Sequence, residues 1–295
     1  MENRVRKTDR TAVAALIATQ FTFGTATVLG KFALLAFPPF ALVGFRVGGA
    51  AVAFALLQRW RGSLALDERR HYLQFAFFAL FGIALNQLLF FKGLSLTKAA
   101  NTSLLSITIP IFTIAISVVL GYDRFTWRLV AGIATAAAGV VYLIDPTRAS
   151  FSADTTLGDL FIILNSFCYA FYVAISKKLI SHYGALKSIA WLFIFGSVIN
   201  VPVGIISLGP VDLGAVSFSS WMFAVALVIF PTILAYYLSA FSISRVEPSV
   251  VAVYVYLQPL IGFVSAVIFL DEHFSVRLLI ASVLVFAGVF LVTRR

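Results

Sequence analysis

The sequence predicts an all-α polytopic membrane protein of ten transmembrane helices, arranged as two inverted five-helix repeats. Three observations predict it. The 295 residues are 61% hydrophobic and 12% charged, and a mean hydropathy of +1.01 leaves too little polar surface to clothe a soluble globule. Apolar runs of about 17–25 residues, enough to cross roughly 30 Å of hydrocarbon, recur from end to end with short interruptions. Finally, the stretch from Leu94 to Ile144 returns without a gap when the numbering is shifted by 149. Pro110 falls on Pro259, Asp123 on Glu272, Phe125 on Phe274, Arg128 on Arg277, Leu129 on Leu278, Ala138 on Ala287 and Gly139 on Gly288. Apolar matches between lipid-facing helices carry little information, but a proline, an acid and an arginine in one register indicate internal duplication.

In chain order, residues 1–10 form a basic segment with Arg4, Arg6, Lys7 and Arg10. The following span, 11–31, is interrupted by Gln20 and neighbouring threonines, so an uncleaved helix is expected rather than a signal peptide. The break Phe37-Pro38-Pro39 precedes span 39–58, and the charged segment Arg59 to Arg70 precedes span 71–92. Spans 98–120 and 127–144 flank the turn Gly121 to Arg124, closing a first repeat at 11–144. After the polar stretch Asp145 to Thr156 come spans 157–178, 187–208, 219–241, 248–270 and 276–293, a second repeat at 157–293. The first helices of the halves align at a shift of 146, which lays Lys31 on Lys177 and Phe23-Gly24 on Tyr169-Ala170. Five spans per repeat is an odd number, so the second copy enters the membrane from the opposite face.

The net charge of +10 sits in short loops beside apolar spans rather than on one continuous surface, which reads as topology and against nucleic-acid binding. Alternate loops carry about 16 Lys and Arg on one side against about 5 on the other, so both termini are expected in the cytoplasm. The single Cys168 excludes a disulfide framework. His71, His182 and His273 have no metal-ligand spacing, and the chain has no glycine-rich phosphate loop, nucleophile elbow or paired acids. Neither an enzyme nor a metal or other cofactor is expected.

No span carries Asp or Glu near its middle, and Asp159 and Glu247 fall at span ends, where interfacial solvation accounts for them. That disfavours proton exchange through a membrane acid and selection of quaternary ammonium drugs. Neutral polar and aromatic residues do recur at helical spacing: Asn165, Tyr169 and Tyr172; Asn86 and Phe90; Thr232 and Tyr236; Tyr254 and Gln258. Each set occupies one helix face, and together they suggest a wet cavity. The candidate substrate-binding residues are Gln20, Asn86, Tyr169, Tyr236, Tyr254 and Gln258, neutral donors and acceptors beside aromatic faces that suit a small zwitterion with an apolar side chain. Pro110 and Pro259 remove backbone hydrogen bonds at matching depths and are read as hinges. Gly24, Gly82, Gly132 and Gly139 are assigned to close helix approach. Arg46, less than two turns from the end of its span, is read as a structural residue able to snorkel. Asn101-Thr102-Ser103 fits a glycosylation sequon but opens a span and is discounted.

The entry of Ala99 and Ala100, the mid-span Pro110, the hinge Asp123-Arg124-Phe125 and Arg128 resemble the last helix pair of the EamA repeat of the drug/metabolite transporter superfamily. Phe23-Gly24, Pro38-Pro39 and Arg46 extend the resemblance over both halves, and the chain also resembles the YddG-type aromatic amino-acid exporters of that family. The resemblance implies that helices one, three, four, six, eight and nine surround a central cavity. It also implies a secondary transporter exporting amino acids and related small metabolites across the bacterial inner membrane by alternating access. Its partners would then be the lipid bilayer and a small solute. Sugar-phosphate exchange, export of cationic drugs and a channel remain the alternatives.

Overall fold

The computed structural model describes residues 9–144, 153–209, 212–261 and 276–293. The C-terminal copies of the turn residues, Glu272 and Phe274, lie outside that set, as do Arg148, His273 and the terminal basic residues. All regular structure among the described residues is helical. We number the helices α1 (Arg10–Ala33), α2 (Pro39–Arg61), α3 (Arg69–Leu96), α4 (Ala99–Leu105, continuing as Thr108–Val119), α5 (Trp127–Ile144), α6 (Ala153–Tyr183), α7 (Ala185–Ser207), α8 (Phe218–Ile243), α9 (Pro248–Ile261) and α10 (Val276–Thr293). Seven of them are long and apolar enough to cross a membrane, and three shorter apolar segments lie in α5, α9 and α10. Large apolar side chains such as Leu35, Trp60 and Val119 stand fully outward, as lipid-facing residues do.

Local chemistry sets the helix ends. Asp9 caps α1 by accepting from the Thr11 N–H at 2.9 Å, and Pro39 and Pro248 occupy first-turn positions where no N–H is required. Gly184 turns the chain from α6 into α7 at φ 79°, a left-handed conformation that favours glycine. The N-terminus of α9 is capped from afar. Asp123, in the turn after α4, accepts from the Ser249 N–H and the Ser249 hydroxyl, both at 3.1 Å. The acid of the duplicated turn is therefore buried, and it ties the first half of the chain to the second.

Irregular turns recur at matching places. A π-helical turn occupies Leu80–Leu85 in α3 and another occupies Ile229–Leu234 in α8, 149 residues on. The α4 helix breaks at Ser106 and Ile107, and α9 tightens to a 3-10 turn at Tyr254–Tyr256. Each irregularity falls where the following proline, Pro110 or Pro259, cannot donate to the carbonyl four residues back. The Ser106 carbonyl accepts instead from the Ile109 N–H at 3.1 Å.

Two seams hold the bundle. Along α2 and α7, Gly44 and Gly204 meet backbone to backbone: a Cβ on Gly44 would stand 2.9 Å from the Gly204 Cα. Along α5 and α10, a Cβ on Gly288 would press into the Gly132 carbonyl and stand 2.6 Å from the Ala136 nitrogen, while one on Gly139 would lie 3.0 Å from the Ala281 carbonyl. These contacts exchange under the 149-residue shift, which carries Gly132 to position 281 and Gly139 to position 288.

Candidate functional site

Between α1, α3, α6, α8 and α9 lies a polar and aromatic cluster. After the π turn of α3 come Asn86 and Gln87, and the π turn of α8 presents Pro231 and Thr232 ahead of Tyr236. The Gln87 amide donates to the Tyr236 hydroxyl at 2.6 Å, and that hydroxyl donates to Asn86 Oδ1 at 3.0 Å. Asn165 of α6 donates to the Asn86 carbonyl at 2.8 Å. Tyr236 is also clasped edge-on by Phe23 and Phe193, with ring centroids 5.5 and 5.1 Å away. Phe23 in turn meets Tyr169 edge-on at 6.5 Å, and the Tyr169 hydroxyl shares a 3.2 Å hydrogen bond with Ser239.

Gln20 and Gln258 form a second polar contact, the Gln258 amide donating to Gln20 Oε1 at 2.7 Å. Tyr254 is buried in the 3-10 turn, one turn ahead of Gln258. The structure thus joins Asn86 to Tyr236 and Gln20 to Gln258, and links Tyr169 to the first pair through Phe23. Tyr172 of the sequence set serves packing: its ring fills the space a Cβ on Gly82 would take, 2.6 Å away.

The expectation that Arg46 snorkels toward an interface is corrected. Arg46 is 2% exposed and points inward. Its Nε donates to Thr232 Oγ1 at 2.8 Å, Nη1 to Gln87 Oε1 at 3.0 Å and Nη2 to the Pro231 carbonyl at 3.5 Å, and its guanidinium lies 4.6 Å from the centre of the Phe91 ring. The reason is geometric: depth along α2 permits a route to the interface, but the face Arg46 occupies turns toward α3 and α8. Among the described residues this buried cation meets neutral dipoles and a ring face, which is an energetic liability, because desolvation of a charge is offset fully only by an opposite charge. Gln87 also escaped the sequence reading. It stands one residue from Asn86 and so falls on another face of an ideal helix. The π turn just before it is the local irregularity that such an assignment by ideal spacing ignores.

Asp159 also departs from expectation. It is buried rather than solvated, accepting from Thr97 Oγ1 at 2.5 Å and from Asn101 Nδ2 at 3.0 Å. Asn101 is wholly buried, consistent with discounting it as a glycosylation site. Glu247, at the start of α9, is half-buried and paired with Lys177 at 2.7 Å.

The EamA-like transporter family matches this chain twice, at residues 10–144 and 156–294. The chain belongs to the EamA-like transporter family. An "uncharacterized transporter" of Archaeoglobus fulgidus is 27% identical over 283 residues, covering 95% of this chain and 96% of its own length. The "uncharacterized transporter YyaM" of Bacillus subtilis is 25% identical, covering 88% of this chain and 86% of its own. A WAT1-related protein of Arabidopsis thaliana is 25% identical over 75% of this chain and 67% of its own. A solved crystal structure superposes with a TM-score of 0.79 at 19% identity, over 96% of both chains, and shares the fold. The protein is accordingly a multi-pass membrane transporter of the drug/metabolite superfamily and not an enzyme.

Proposed function

We propose that this EamA-family protein is a secondary carrier that exports amino acids, aromatic or apolar ones foremost, and related small metabolites across the bacterial inner membrane. It would do so by alternating access, one bundle of helices rocking against another around a midplane site, in a chain built of two inverted five-helix repeats, 11–144 and 157–293. Ten membrane crossings with both termini cytoplasmic fit the ten helices of the described residues and the basic-loop count.

One observation supports a two-fold relation of the halves, which five spans per repeat would make an inversion: residues at equivalent positions of the two halves touch each other. Gln87 and Tyr236 are 149 apart and hydrogen-bonded, and the Tyr256 hydroxyl donates at 3.2 Å to the carbonyl of Ile107, again 149 away. Phe23 and Tyr169, equivalent at the shift of 146, meet edge-on. A residue can contact its own counterpart only beside a pseudo-two-fold axis, and an axis through the polar cluster puts that cluster where the two repeats part. Pro110 and Pro259, each following an irregular turn, are the hinges of this reading.

The aromatic clasp around Tyr236 and the amides of Gln20, Asn86 and Gln258 favour a zwitterion with an apolar side chain, held by exchangeable hydrogen bonds. Proteoliposome uptake with amino acids, sugar phosphates and cationic drugs tests the reading. Amino acids should be moved, and Asn86→Leu and Gln258→Leu should reduce their transport several-fold in monodisperse protein. Uptake of sugar phosphates or cations alone would overturn the substrate, and unaltered rates in both variants would overturn the site.

A further inference from the structure

The geometry points to Arg46 as the anchor for a carboxylate of the transported solute. This deepens the carrier reading and rests on it for the location of the path. Arg46 lies seven residues, roughly 10 Å, into α2. Among the described residues no acidic side chain pairs with it, and its three hydrogen-bond acceptors are a hydroxyl, an amide and a backbone carbonyl. Its five N–H donors therefore meet three acceptors, one of them at the outer limit of hydrogen-bond distance. A carboxylate is the group a guanidinium fork receives best, through two parallel charge-assisted hydrogen bonds.

The surroundings suit that ligand. The acceptor on Nη1 is Gln87, whose amide passes the contact on to Tyr236 and Asn86, so Arg46 stands one side chain from the proposed solute site. Gln87 can exchange its bond to Arg46 for one to the solute, since its amide offers both an acceptor and donors. The remaining acceptors, Thr232 and Pro231, belong to the π turn of α8, and Gln87 is the second residue after that of α3. A carboxylate arriving at Arg46 thus competes with the contacts that join α2 to both irregular turns. An ordinary helix-knitting arginine would be expected to have a fixed acid beside it; here the solute supplies the anion.

The test compares a solute with its carboxyl-neutral analogue. Full-length wild type, Arg46→Lys and Arg46→Met are reconstituted, and uptake of phenylalanine and phenylalaninamide is measured alongside monodispersity. Wild type should prefer phenylalanine by about tenfold or more, the scale of one charge-assisted contact. Arg46→Met should lose that preference through phenylalanine, with amide uptake within about twofold of wild type. A purely structural arginine would lower both solutes equally, and an unchanged ratio overturns the assignment. Should Arg46→Met fail to fold, the ratio in Arg46→Lys decides on the same terms. If wild type moves no amino acid, the proposed substrate fails, and Arg46 is judged by thermal stabilisation with benzoate and phenylpyruvate. Stabilisation lost in Arg46→Lys supports the anchor, and none in wild type overturns it.

Discussion

The seams of this transporter are made from absent side chains, and its centre from side chains that reach each other. Along α2–α7 and α5–α10, Gly44 meets Gly204 and Gly132 meets Gly288 with backbone on backbone. Between α3, α6 and α8, Asn86, Gln87, Tyr236 and Arg46 share hydrogen bonds that cross three or more helices. The difference teaches where motion can occur. A backbone contact has no rotamers and no alternative partner, so a seam either fits or fails. Amides and hydroxyls trade partners at little net cost, since interhelical hydrogen bonds in bilayers average about 0.6 kcal/mol. In the proposed carrier cycle, rearrangement would fall to the centre, and the seams would stay intact within the bodies that move.

The comparison breaks first at a seam. Gly288→Leu drives a side chain into the Gly132 carbonyl and the Ala136 nitrogen, both backbone and unable to give way. The expected outcome is loss of folded protein, read as the yield of monodisperse transporter in detergent. A normal yield would mean that α5 and α10 slide, and the contrast with the centre would fall.

A second, smaller effect comes from Asp123, the cap that reaches across the repeats. Asp123→Ala leaves the Ser249 N–H and hydroxyl without their acceptor at the start of α9. A destabilisation of about 1 kcal/mol is expected, the typical cost of losing an N-cap. Thermal unfolding should show a lower midpoint for Asp123→Ala and partial recovery in Asp123→Asn, which keeps one acceptor oxygen.

Third is a contact within the centre. Gln20→Met removes the acceptor of Gln258 while keeping the volume, and the expected change in stability is about 0.6 kcal/mol. Transport should respond more than stability does. If the thermal midpoint fell as far as in Asp123→Ala, the centre would count as scaffold, and the contrast would be blurred.

The match between the halves was legible in the sequence because proline, glycine and arginine mark backbone geometry, and the family model likewise matches at 10–144 and 156–294. Pro110 and Pro259 announced irregular turns, and both α4 and α9 have them. Asp123 was legible as a turn acid, but its partner Ser249 lies 126 residues away, and nothing in local spacing connects them. The direction of Arg46 was hidden because depth along a helix says nothing about which neighbour a side chain faces. Gln87 was hidden by a π turn that spacing for an ideal helix does not anticipate. Gly82 and Pro231, equivalent at the 149 shift and inside the two π turns, were the available signal. Gln20, Asn86, Tyr236 and Gln258 stood out in the sequence because polar residues in apolar spans are few, and the structure hydrogen-bonds Tyr236 to Asn86 and Gln258 to Gln20.

The smallest effect belongs to a contact outside both seam and centre, where the loop before α3 is held to the α6–α7 junction. Asp67 Oδ2 stands 2.9 Å from His182 Nε2, and its own N–H donates to the Tyr183 hydroxyl at 2.9 Å. The hydrogen bond from His182 holds the Asp67 carboxyl below its ordinary value of 3.8, with the charges of His182 and Lys187 adding to it. A depressed carboxylate contributes stability above its unfolded pKa and loses it as pH falls through the folded value. Both side chains are more than half exposed, 55% and 65%, so solvent screens the pair and the gain is slight. Asp67→Asn should therefore unfold at a marginally lower temperature than wild type near pH 6, and the two curves should converge below about pH 4. Thermal midpoints of both proteins across that range check it. A gap that widened toward low pH would reverse the sign and exclude the carboxylate as the stabilising form. A gap as large as that of Asp123→Ala would show that this loop is part of the scaffold, and the division into rigid seams and exchangeable centre would need a third component at this end of the bundle.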